Sequence, residues 1–380
     1  MRLALLIYGS LDTLSGGYLY DRKLVAHLRA AGDEVEIVSI PWRNYAAHLT
    51  DNFSGELRRR LLNGRWDVLL QDELNHPSLF LLNGWLRPRA PYPIVSIVHH
   101  LRSSERRPRW QNVVYGLIER MYLRSVAGFV FNSETTREVV LSTLGAGISG
   151  KWVGGRVSGV VAHPSADHAL ALTPRSPLPP LGEFPPGEGG RERPLKILFL
   201  GNVIPRKGLH TLIAALARVR GAWQLTVAGR LDVDAKYVKD LRGLWRQSSP
   251  HNREGLVWLG PLSDAGVREQ LAAHDILAVP SSYEGFGIVY LEALAYGLPV
   301  IATTAGAAHE MITHGREGFL VPPENPAALA QVIQKLLDEA ELLPTLSRAA
   351  RARYVAWPTW AQSMNKAREF LQTLVRDGGV

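Results

Sequence analysis

Cysteine is absent from all 380 residues, which excludes disulfides and thiolate metal centres and leaves the redox compartment unwritten. No apolar run reaches the roughly 20 residues that a membrane span needs. The opening MRLALLIYGS has the short apolar core of a signal peptide. However, Tyr8, Gly9 and Asp12 follow where a small-residue cleavage site would stand, so a first buried strand is expected. The G-x-G-x-x-G dinucleotide fingerprint is missing too. Beside His99 and His100 no second cluster at metal-ligand spacing is read, so a zinc site is not expected. These absences predict a cytoplasmic protein.

What is present points to two domains. The length exceeds one comfortable core, and 46% hydrophobic with 21% charged residues is the balance of a folded globular chain. The net charge of +8 asks for a negative partner: nucleic acid, anionic lipid or a phosphorylated small molecule. Short apolar runs at 3–8, 35–40, 66–71, 94–98, 128–132 and 159–162 alternate with helical stretches. A second series follows at 196–201, 224–229, 256–260, 276–279, 300–303 and 319–322. Strands separated by helices give parallel sheets with crossover connections. Between the series, residues 173–194 hold 7 prolines and 4 glycines in 22 residues, a semi-extended spacer. The expected division is therefore 1–172, a linker at 173–194, 195–357, and a helix in 358–380. That helix carries Trp360, Met364, Ala367 and Phe370 on one stripe and could pack on either domain.

The stretch PSSYEGFGIVYLEALAYGLP, residues 280–299, carries the most chemistry. A buried strand ends at Pro280, Ser281 to Gly287 is loop, and a helix runs over 288–296 until Gly297 and Pro299 close it. Glu284 thus lies in the loop and Glu292 two turns inside the helix. Gly285, Phe286, Gly287 and Ile288 leave backbone N–H groups at a helix start, where the macrodipole favours an anion. A carboxylate on either side of that anion site suits a sugar nucleotide, with Glu284 on sugar hydroxyls and Glu292 on a ribose. The competing reading makes Glu284 a solvated loop acid and Glu292 a surface residue.

Other stretches are weaker alone. Gly16 and Gly17 open a helix after the first strand, an arrangement that cradles phosphate or is merely structural; Gly32 stops that helix. His99 follows a strand, where polar tips face ligand crevices, or it is an ordinary satisfied polar residue. Arg206 and Lys207, between a strand and a helix, either grip a diphosphate without metal or face solvent. Gly229 ends the next strand, permitting close backbone approach to a ligand, with Arg230 beside it. Residues 102–124 combine Arg102, Arg106, Arg107 and Arg109 with Trp110, Val113, Val114, Leu117 and Tyr122. Such a helix packs on its own sheet with the arginines in water, lies on a membrane surface, or lines a nucleic-acid groove.

Taken together, these residues resemble a family 4 glycosyltransferase, of the type called glycosyl transferases group 1. The resemblance runs nearly end to end: Gly16-Gly17, His99, Pro205 to Gly208, Gly229, and Glu284-Gly285-Phe286-Gly287 with Glu292. Gly306, Glu310, Gly318, Phe319 and Leu320 continue it. It implies an α/β fold of the GT-B kind, two Rossmann-like parallel-sheet domains facing a central cleft. It implies that Glu284 holds the donor sugar, that Phe286 and Gly287 present N–H groups, and that Glu292 takes the ribose. Lys207 would take the diphosphate, Gly17 would approach it from the other domain, and His99 would sit by the sugar. The last helix would cross back to the N-terminal domain. Retention of configuration and independence from metal are implied, with no cofactor beyond the nucleotide-sugar substrate.

Two positions depart from the pattern. Asn202 stands where the family usually has Arg, so Arg206 or Arg230 would have to supply the missing charge. His163 to Asp167 replaces a turn that many members write Asn-Gly-Val-Asp. Separately, Asp232 and Asp234 look like a transferase's cation-binding pair but lack a third acid, and they read as loop or helix-start acids.

The resulting expectation is transfer from a nucleotide sugar to an unidentified glycan, lipid or small molecule, with same-face attack. Its rivals are a nucleotide-sugar epimerase or phosphorylase on the same frame, and a basic nucleic-acid-binding module that lacks any recognition motif. A lipid-linked or membrane-proximal acceptor, and a peripheral place at the inner membrane face, follow from the arginine–aromatic stretch.

Overall fold

The computed structural model describes residues 1–105, 107–145, 151–152, 155–166, 193–248 and 255–377. Residues 173–192 of the expected spacer, together with Arg106 and Asp167, lie outside them. The chain forms two compact units, Met1–Pro164 with Pro358–Val380, and Ser165–Trp357.

In the N-terminal unit, strands β1 (Arg2–Tyr8), β2 (Glu34–Ile40), β3 (Val68–Asp72), β4 (Ile94–Val98) and β5 (Gly128–Phe131) form one sheet. A short antiparallel pair, β6 (Lys151–Trp152) and β7 (Gly155–Arg156), precedes the edge strand β8 (Gly159–Val161). The order is β2-β1-β3-β4-β5-β8, parallel throughout. Alternation along β1 sends Leu3, Leu5 and Ile7 into a layer with Tyr20, Leu24 and Leu28. Ala4, Leu6 and Tyr8 enter the opposite layer with Leu82, Tyr122 and Leu123. Apolar cover on both faces is why β3 and β4 read as near-continuous hydrophobic runs.

The helix Trp360–Arg376 belongs to this unit. Met364, Ala367 and Leu371 are buried in its first layer, while Phe370 packs at the partly buried margin. Thr359 and Gln362 form a reciprocal cap at its start. Arg368 Nε donates to Asp33 Oδ2 at 2.6 Å, and the Met1 ammonium donates to Asp33 Oδ1 at 2.7 Å. Burial alone would raise the Asp33 carboxyl, but the two cations more than reverse this and hold it below the usual range. Both ends of the chain are thereby fastened to one carboxylate.

The C-terminal unit contains β9 (Leu195–Leu200), β10 (Trp223–Ala228), β11 (Leu256–Gly260), β12 (Ile276–Ala278), β13 (Val300–Thr303) and β14 (Gly318–Val321). The order is β11-β10-β9-β12-β13-β14, again all parallel. The chain runs outward from β9 through β10 to β11, then restarts on the other flank with β12. Loops leaving β9 and β12 therefore diverge, and ligands of open parallel sheets bind where they part.

Candidate active site

At that switch point three loops are pinned together by glycine. Gly208, at φ +73°, follows the single turn Pro205–Lys207; a Cβ there would lie 2.0 Å from the Pro280 carbonyl oxygen. Gly306, at φ +94°, forms a parallel bridge with Glu284, and a Cβ would lie 2.0 Å from the Glu284 carbonyl oxygen. Neither position has room for a side chain. Ser282 N–H also donates to the Arg206 carbonyl at 2.8 Å, and Ala307 N–H donates to the Glu284 carbonyl at 3.0 Å. The backbone of Glu284 is thus held by the loop after β13, and that of Arg206 by the loop after β12.

This pinning brings three side chains to one point. Lys207 Nζ donates to Glu284 Oε2 at 2.6 Å, Ser281 Oγ donates to the same oxygen at 3.2 Å, and Arg206 Nη1 lies 3.5 Å from it. Arg206 Nη1 also donates to the Tyr283 carbonyl at 2.8 Å. Burial would raise the Glu284 carboxyl, but the Lys207 and Arg206 charges overwhelm it and hold the group at about 2. Burial lowers Lys207, with the Arg206 charge adding to the depression and Glu284 opposing it. Two cations share one anion here, so the cluster carries net positive charge at neutral pH.

The remaining residues of this region divide. Gly287, at φ +92°, caps the helix Ile288–Ala295 without a side-chain hydrogen bond, so that helix start keeps backbone donors available. Phe286 is buried, its ring 6.1 Å from that of Trp357, and serves the core while Gly285 and Gly287 shape the loop. Glu292 is buried in the second turn of the helix, not on a surface. Asn202 directs its carbonyl to Ile204 N–H at 3.0 Å. A Cβ on Gly229 would lie 2.0 Å from the Gly201 carbonyl oxygen, so its glycine serves contact between strand tips. Arg230 makes a two-bond pair with exposed Asp232, at 3.0 and 2.8 Å, and Asp234 caps Tyr237 N–H at 2.9 Å. Of the two arginines weighed for the charge missing at Asn202, only Arg206 touches the Lys207–Glu284 pair among the described residues.

The N-terminal unit holds the other expected residues. Ser15 caps the helix Gly16–Ala30, with Gly16 and Gly17 in its first turn. A Cβ on Gly17 would stand 3.2 Å from His99 Cδ2, so glycine there admits the imidazole. His99 Nε2 meets Asp21 Oδ1 at 3.3 Å, and Asn132 Nδ2 donates to the His99 carbonyl at 2.8 Å. Burial would lower His99. The hydrogen bond and charge of Asp21, with Asp72 and Glu73 beyond, win and raise it to about 9.

Sequence reasoning missed the partners of this histidine. Donor atoms of Asp21, Asp72 and His99 lie within 4.8 Å of one another, as do those of Glu73, His76 and Glu119. Burial, then the Asp21 charge, pushes Asp72 to about 7; burial pushes Glu73 to about 7 and His76 down to about 4. His76 Nε2 meets the Tyr45 hydroxyl at 3.1 Å, and Glu119 Oε1 accepts from Ser103 N–H at 3.1 Å. Either trio has a metal-ligand composition; Glu73 and His76 stand three residues apart, whereas Glu119, and all three of Asp21, Asp72 and His99, are distant in sequence. Ser103 N–H and Oγ donate to the two Glu119 oxygens, and Asp21 meets His99 Nε2. The available signal was Asp72-Glu73 directly after the strand at 66–71, a tip position equivalent to that of His99.

Two units, each a six-stranded parallel sheet covered by helices, make this an α/β chain of the GT-B kind, and its relatives make it a glycosyltransferase. Residues 194–339 match the family model described as glycosyl transferases group 1. The phosphatidyl-myo-inositol mannosyltransferase of Mycobacterium leprae is 27% identical across all of this chain and 98% of its own length. The glycogen synthase of Mycobacterium tuberculosis is 30% identical over 174 residues, 45% of this chain and 40% of that protein. Among solved structures, Anabaena HepE in complex with UDP and glucose superposes with a TM-score of 0.74 at 20% identity, covering 98% of this chain and all of HepE.

Proposed function

We propose that this enzyme is a retaining, metal-independent transferase of the family 4 kind. Its nucleotide-sugar diphosphate is held by Lys207, Arg206 and the open start of the helix Ile288–Ala295. The carrying observation is the cluster in which Lys207 at 2.6 Å and Arg206 at 3.5 Å converge on one Glu284 oxygen. Breaking the anomeric C–O bond leaves charge on the departing diphosphate, and fixed cations in a site poor in water stabilise it without reorganising. A donor takes the cations from Glu284 and frees that carboxylate for sugar hydroxyls. Glu292 takes the ribose in this reading.

The departing phosphate oxygen receives the acceptor's proton on the face it leaves, and configuration is retained. His99, held as an imidazolium by Asp21, is a donor of hydrogen bonds and not a base at neutral pH. Gly17 keeps the space for its ring. The full-length likeness to a phosphatidyl-inositol mannosyltransferase supports a hydroxylated, lipid-borne acceptor.

The test is a thermal-shift panel of UDP-, GDP- and ADP-sugars on the parent, Lys207→Ala and Glu284→Ala, run with and without EDTA. One sugar nucleotide should stabilise the parent in both conditions and fail to stabilise either variant. Equal stabilisation of all three proteins would remove the site assignment, and dependence on divalent metal would remove the metal-free mechanism. An inverted anomeric product by NMR would exclude retention.

A further inference from the structure

The helix Arg109–Leu123 is amphipathic in an unusual sense, because its outward side is the apolar one. Ile118, Glu119, Tyr122 and Leu123 are buried. Trp110 is 68% exposed, Val113 71%, Val114 45%, Leu117 61% and Met121 39%. At about 100° per residue these five fall on one continuous stripe. Single exposed hydrophobics are ordinary, but five along one 15-residue helix form a patch that marks an interaction surface.

The surroundings of the stripe select its partner. Arg109 and Arg120 are exposed and follow one edge of it, and exposed Arg124 closes its end. The two acidic residues between Arg102 and Arg124 are turned to other work. Glu119 is buried against Ser103, and Glu105 pairs with His100 and Arg107. The exposed side is therefore apolar and basic, with no exposed acid on the helix to oppose it. A protein partner would have to bring a matching acidic, apolar groove; an anionic bilayer offers both chemistries at every point. Trp110 suits the interface between headgroup and acyl chain, and arginine stems lie along apolar surface while their heads reach phosphate. No described helix is long and apolar enough to cross a membrane.

We infer that the outward face of the helix Arg109–Leu123 is a docking surface for an anionic lipid bilayer, lying in the plane of the headgroups. The inner face of the same helix supplies Glu119 to the Glu73–His76–Glu119 trio, so a docked membrane would lie one helix thickness from that network.

The experiment is co-sedimentation of the whole protein with vesicles of phosphatidylcholine alone and of phosphatidylcholine with 30% phosphatidylglycerol. The parent, Val113→Glu/Leu117→Glu and Arg109→Ala/Arg120→Ala are compared, with melting temperature and light scattering on each. The parent should bind the mixed vesicles and lose binding at high salt. The apolar pair of changes should lower partitioning tenfold or more, and the arginine pair by roughly fivefold per charge removed. Melting and monomer mass should stay at the parent's values, since all four residues are exposed. Binding by both variants equal to the parent's would overturn the inference. So would absence of vesicle binding together with a parental dimer that Val113→Glu/Leu117→Glu dissociates, because the stripe would then be a self-association face. Neither result bears on donor binding, which the thermal-shift panel reads separately.

Discussion

The two units share a six-stranded parallel sheet and place buried charge at its C-terminal tips, yet they handle that charge in opposite ways. In the C-terminal unit two cations face one carboxylate, and Glu284 is held at about 2. In the N-terminal unit four buried carboxylates, Asp21, Asp72, Glu73 and Glu119, gather around two histidines, and Asp72 and Glu73 are pushed to about 7. Where cations are in excess, the acid stays ionised in spite of its burial. Where acids are in excess, burial raises Asp72 and Glu73, while His99 is raised against burial by the hydrogen bond and charge of Asp21. One cluster has cations in excess, the other carboxylates.

The sharpest break of this contrast comes from removing one side of the grip. Lys207→Ala should lower transfer by about a thousandfold, since a preorganised donor at a developing oxyanion is worth two to three orders of magnitude and a full charge is lost as well. Steady-state kinetics with the donor identified by thermal shift would read it. A loss of less than about tenfold would mean that Arg206 carries the diphosphate and that Lys207 serves only Glu284.

Next in size is a change that leaves every charge in place. Gly306→Ala sets a methyl 2.0 Å from the Glu284 carbonyl at φ +94°, so the loop must move. The cost should be about 3 kcal/mol of stability, read by denaturant unfolding. Donor stabilisation should fall with it, because Glu284 takes its position from that bridge. Retention of donor binding at reduced stability would show that the side-chain cluster assembles without the bridge.

How much of this contrast the sequence discloses follows from distance along the chain. The grip comes from two short loops, each directly after an apolar strand and each marked by glycine, so Arg206, Lys207 and Glu284 stand out from local pattern alone. The acid–histidine cluster draws on a helix at Asp21, a strand end at Asp72 and Glu73, a turn at His76, a strand tip at His99 and a second helix at Glu119. Only Asp72, Glu73 and His76 are local to one another, and the order β1-β3-β4 is needed to bring the others to them. The reach of the helix at 288–296 was legible from Gly287, Gly297 and Pro299, whereas burial of Glu292 was not, because its neighbours enter the core on every side. The stripe at 110–121 was visible as a pattern, but periodicity does not say which face of an amphipathic helix turns inward.

The network in the N-terminal unit is sharpened by pH. His99 is raised from the ordinary 6.5 to about 9, so its contribution to stability is fully present below about pH 6.5 and is lost as pH rises through 9. Asp72 and Glu73 are raised to about 7, and their contributions fall in an earlier window, between the usual carboxylate range and pH 7. Melting temperature should therefore decline in two stages with rising pH. His99→Gln should erase the later stage and move the earlier one to higher pH, because the imidazolium charge lowers Asp72 and Glu73. An unchanged limb between pH 7 and 9 in that variant would show that His99 is neutral in the folded protein.

The smallest expected effect tests the boundary of the grip. Arg230 and Asp232 are bonded to each other at 47% and 70% side-chain exposure, and neither reaches Glu284 among the described residues. Water and salt screen such a pair, so its geometry adds little to folding. Arg230→Ala should leave melting temperature and donor-induced stabilisation at the parent's values, while Arg206→Ala lowers donor stabilisation clearly. The pairing of the two measurements matters, since both changes remove one arginine charge from the same unit. Should Arg230→Ala abolish donor stabilisation and Arg206→Ala spare it, the charge missing at Asn202 would be supplied from the β10 tip, after Arg230 released Asp232. The grip would then be formed by the donor's arrival and not before it.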